Sequence, residues 1–94
     1  GPQDICWDLA GFSVEFGLGG KDRELFLKRF AAGSGRAVPS VEKLAFYSVA
    51  YLSFRMGYCA VAASSLSGTE DGRAFRSLYE KYASLLKETL VSIA

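Results

Sequence analysis

Three charged side chains could do chemistry, and two of them, Glu15 and Arg55, stand where charge is costly. Asp8 follows Trp7 and precedes Leu9-Ala10, Glu15 adjoins Phe16, and Arg55 is the only charge between Leu44 and Thr69. An ion buried without a partner is expensive, so each needs water, a hydrogen-bonding partner or a counter-charge. For Glu15 and Arg55 two readings stay open. Each reaches water or a backbone carbonyl, or the two meet as a buried ion pair or hold a neighbouring segment. By pattern alone Asp8 is a carboxylate on the surface of a helix.

The remaining chemistry is sparse. The sequence has no histidine. That removes imidazole acid–base catalysis, Ser-His and Cys-His arrangements, and the commonest zinc ligand. Cys6 and Cys59 are too few for a thiolate zinc site and read as small core residues. A disulfide between them would require a secreted setting. Gly17-Leu18-Gly19-Gly20-Lys21 has the Gly-Lys of a phosphate loop, but Asp22 stands where Ser or Thr is needed and Glu15 where the first glycine belongs. Gly33-Ser34-Gly35 lacks the third glycine of a dinucleotide fingerprint. Both glycine groups read as loops and caps. No catalytic residue, cofactor site or metal site is expected in this chain.

Four helical segments must position these residues. The first is expected from about Ile5 to Phe16, capped by Asp4, with Ile5, Leu9, Phe12 and Phe16 at helical spacing. The glycines from Gly17 to Gly20 stop it. The second covers about Asp22 to Ala32, with Leu25, Phe26 and Phe30 on its apolar side and Glu24–Lys28 as an i,i+4 pair. The third starts near Pro39-Ser40 and continues to about Leu66. Val41, Leu44, Val49, Leu52, Met56, Cys59 and Ala63 line one side of it; Phe46, Ala50, Phe54 and Val61 line another. The fourth begins at a Thr69 cap followed by Glu70 and Asp71, which suit the helix dipole. Phe75, Leu78, Tyr82, Leu85, Leu86, Leu90 and Ile93 keep its period, and Arg73, Arg76, Glu80, Lys81, Lys87 and Glu88 form a solvated face. With no strand pattern, the expected fold is all-α: one domain over residues 1–94, a four-helix, bundle-like subdomain around a long, nearly all-apolar central helix.

Ninety-four residues allow one domain and one core. Eleven basic and ten acidic residues nearly cancel. That gives no basic field for nucleic acid and no polybasic cluster for a membrane surface. The third segment is long enough to span a bilayer, but Arg55 at its centre would cost about 2.5–3.5 kcal/mol there. A soluble, cytoplasmic protein is the expectation, with no signal peptide in view. Gly1-Pro2 matches what some tag-removing proteases leave, or is native. The absence of an initiator Met leads us to expect a processed or excised piece.

The stretch Gly1 to Gly11, with Trp7-Asp8-Leu9-Ala10-Gly11, resembles the segment after the metal-binding aspartate in aminoglycoside-phosphotransferase-like (choline kinase-like) enzymes, where a Gly-Asp-Pro-x-x-Asp-Leu-Ala run is typical. Leu44 to Tyr58 is similar to the long helix of their C-terminal lobe, and Phe75 to Leu90 resembles their closing helix. One departure is that Gln3 and Asp4 follow Pro2, where the usual motif has Asp before the proline. The resemblance implies the helical C-terminal subdomain of a small-molecule kinase, inactive alone. ATP or GTP with magnesium would be held by an upstream kinase segment. By the same resemblance Asp8 would support the catalytic loop by accepting its backbone hydrogen bonds. The rival expectation is a stand-alone helical interaction module that self-associates or binds a partner helix. Half of the residues are hydrophobic. That leads us to expect self-association as a homodimer, with the glycine joints at 17–20 and 33–35 permitting exchange of a terminal helix.

Overall fold

The computed structural model describes residues 5–93, and among these every regular element is a helix. The helices are α1 (Ile5–Glu15), α2 (Gly20–Ser34), α3 (Val41–Ser65) and α4 (Glu70–Ile93). The all-α expectation is met. The cap assigned to Asp4 lies outside the described residues.

Helix ends follow from local chemistry. The Leu18 N–H donates to the Ser13 carbonyl at 2.8 Å and the Gly17 N–H to Val14 at 3.2 Å. This is the paired closure that needs a left-handed residue, and Gly17 supplies it at φ +64°. Helix α2 starts two residues earlier than its side-chain pattern suggests, because Gly19, extended at φ −143°, acts as its N-terminal cap without a side chain. Its other end closes where the Gly35 N–H donates to the Ala31 carbonyl. Ser40 Oγ accepts the Lys43 N–H at 3.1 Å and starts α3. Thr69 Oγ1 accepts the Gly72 N–H at 3.0 Å and starts α4. Both are caps of the kind that satisfy otherwise orphaned first-turn amides.

Contacts gather into two compact units, Gly1–Ser48 and Val49–Ala94, and the boundary falls within α3. In the first, Leu9 of α1, Leu27 of α2 and Leu44 of α3 form the buried core, with Ile5, Phe26 and Phe30 packed against it. The buried residues of α1 are Cys6, Leu9, Ala10, Gly11 and Ser13. Its expected apolar row turns out to be shifted: Phe12 and Phe16 are exposed. They instead stack on one another at 4.4 Å, and Phe12 stacks on Phe26 of α2 at 4.7 Å. The Glu24–Lys28 pair forms at 3.0 Å on the exposed side of α2. Such a surface pair contributes only a few tenths of a kcal/mol.

In the second unit the C-terminal part of α3 and α4 form a helical hairpin. The turn is tight: the Thr69 N–H and Thr69 Oγ1 both donate to the Leu66 carbonyl, at 3.0 and 2.5 Å. Leu52, Cys59 and Tyr82 are the buried residues with apolar character. Phe75, Leu78, Leu85 and Leu86 are half-buried, and the charged residues of α4 are exposed as its period requires.

One expectation needs correcting. A helix apolar nearly all round should be covered on all sides, yet α3 buries only one line of residues: Leu44, Ser48, Leu52 and Cys59. Phe46, Phe54 and Val61 are 67%, 57% and 67% exposed. These belong to the second of the two apolar sides distinguished in the sequence. The physical reason is simple in the hairpin unit: one neighbouring helix covers at most one face of α3.

Candidate functional site

Asp8 lies in the first turn of α1 and is exposed, while its neighbours Leu9 and Ala10 are buried. Helical alternation thus separates the carboxylate from the core side of the same turn. The chemistry open to it is accepting hydrogen bonds or meeting a cation at the surface. Glu15 ends α1 and is also exposed. Its carboxylate therefore carries no burial cost that an ion pair would have to offset.

Arg55 is half-buried on α3. Its Nε donates to Tyr82 Oη at 3.3 Å, and its guanidinium lies 5.3 Å from the ring centroids of both Tyr58 and Tyr82. Tyr82 is buried, and Tyr58 meets Phe75 edge-on at 6.1 Å. Electron-rich ring faces and a phenolic oxygen thus surround part of this cation. Sequence reasoning singled out Arg55 but did not foresee the tyrosines. The signal was available: Tyr58 is three residues from Arg55, on an adjacent turn, and Tyr82 sits on the apolar stripe of the helix expected to return beside it. The contact ties α3 to α4 within the hairpin unit.

Beside the hairpin turn opens a cleft of ≈590 Å³. Ala63, Ser64 and Ser67 make one wall, and Gly72, Arg73 and Arg76 lie on the other. Small side chains on α3 create the space, and Arg73, Arg76 and Glu80 bring charges of both signs to its rim. All three are exposed, so water screens them.

Cys6 and Cys59 are buried thiols, not joined in a disulfide, and belong to different units. Among the described residues no group of three His, Cys, Asp or Glu could hold a metal ion. No helix among them is long and apolar enough to cross a membrane. Exposed large apolar side chains occur at several places, among them Leu90, Val91 and Ile93 at the end of α4, and two groups bear on function. One is the aromatic group Phe12, Phe16 and Phe26 of the first unit, and the other is the exposed side of α3. Comparison with known proteins gives no matching family model, no matching characterised sequence and no matching solved structure.

Proposed function

We propose that this chain is the bundle-like helical C-terminal subdomain of an aminoglycoside-phosphotransferase-like kinase, supporting the catalytic loop and the substrate side of phosphoryl transfer from ATP or GTP. The observation that supports this reading is Asp8. It is a carboxylate within Trp7-Asp8-Leu9-Ala10, exposed in the first turn of a helix whose other side is core. A carboxylate so placed is available to accept backbone N–H groups from a loop packed over α1. Such a residue positions chemistry done by others. On this reading the magnesium–nucleotide site belongs to an upstream kinase segment.

The test begins with the reading frame upstream. It should encode a nucleotide lobe and an Asp-x-x-x-x-Asn catalytic loop, the parts that phosphoryl transfer requires. In that full-length protein, Asp8→Asn should lower kcat by roughly tenfold or more while leaving nucleotide affinity nearly intact, because the lost contact orients the loop and does not touch the nucleotide. Turnover unchanged by Asp8→Asn would remove the support.

A second reading has its own observation. The exposed apolar side of α3, with Phe54 and Val61, is what a helical interaction module presents to a partner. On this reading the exposed face is the functional surface and Asp8 is a solvated side chain.

A further inference from the structure

We draw no further inference here: the strongest candidate, the cleft beside the hairpin turn between the end of α3 and the start of α4, rests on small residues and the first turns of a helix alone, since the charges of Arg73, Arg76 and Glu80 at its rim are exposed and of both signs and no buried, unpartnered polar side chain of its lining points to a ligand.

Discussion

Gly72 of α4 approaches the carbonyl of Leu66 so closely that a β-carbon would stand 2.8 Å from the carbonyl carbon and closer still to its oxygen. That oxygen already accepts from the Thr69 amide and hydroxyl, and Thr69 Oγ1 in turn accepts from the Gly72 N–H. Backbone faces backbone, so no flexible side chain can move aside. Gly72→Ala should destabilise the protein by about 1–3 kcal/mol, the usual cost of overpacking. For a chain of this size each kcal/mol lowers Tm by roughly 4–8 °C. Gly57→Ala is the control, because its site is open and the helix should gain about 0.5–1 kcal/mol. Thermal unfolding of both variants at concentrations too low for association decides the matter, and a Gly72→Ala protein as stable as its parent contradicts the close approach.

Ser13 offers the opposite sign. It is buried on the core side of α1, and its Oγ has no hydrogen-bond partner. An unsatisfied buried hydroxyl costs about 1–3 kcal/mol of desolvation. Alanine removes that cost and has the higher helix propensity. Ser13→Ala is therefore expected to be neutral or to stabilise by up to about 1 kcal/mol, measured by urea denaturation. A loss of more than about 1 kcal/mol would mean that the hydroxyl is satisfied in solution.

These sites show what could be read from the sequence. Thr69 followed by Glu70-Asp71, and Ser40 after Pro39, announced two helix starts because caps act through side chains. The start of α2 was misplaced because its cap is Gly19, which has no side chain to read. The period of α4 was legible because its charges fall on one side. In α3 both sides are apolar, so periodicity gave two candidate faces and could not choose between them. The choice is made by contacts far apart in sequence, as is the pairing of Arg55 with Tyr82 across 27 residues. In α1 the row through Phe12 and Phe16 was a fair period, but the smaller residues Cys6, Ala10 and Ser13 point inward. Large aromatics attract notice in a sequence, while close helix packing selects small residues.

The Arg55–Tyr82 contact can be divided by substitution. Tyr82→Phe keeps the ring under the guanidinium and removes the oxygen that accepts from Nε. The expected loss is about 1 kcal/mol, with somewhat more allowed because the donor is charged. Tyr82→Ala removes ring and oxygen from a buried position and should cost about 3–5 kcal/mol. Equal losses from the two would show that the ring, through its packing and its contact with the guanidinium together, adds nothing beyond the hydroxyl.

The two cysteines permit a test of each unit separately. Cys6 is 3% exposed and Cys59 is fully covered, so a thiol reagent reaches either one only when the structure around it opens. Labelling of the native chain should be slow for both, and prompt reaction at either would contradict its burial. Cys6→Ala and Cys59→Ala each leave one reporter, Cys59 for the hairpin unit and Cys6 for the other. Gly72→Ala strains the hairpin turn alone. It should speed labelling of Cys59 by roughly tenfold per 1.4 kcal/mol of destabilisation when opening and closing are fast relative to labelling. Cys6 should respond less, because its unit keeps the Leu9, Leu27 and Leu44 core unaltered. Equal acceleration of both thiols would contradict this expectation and show that the two units open as one cooperative structure.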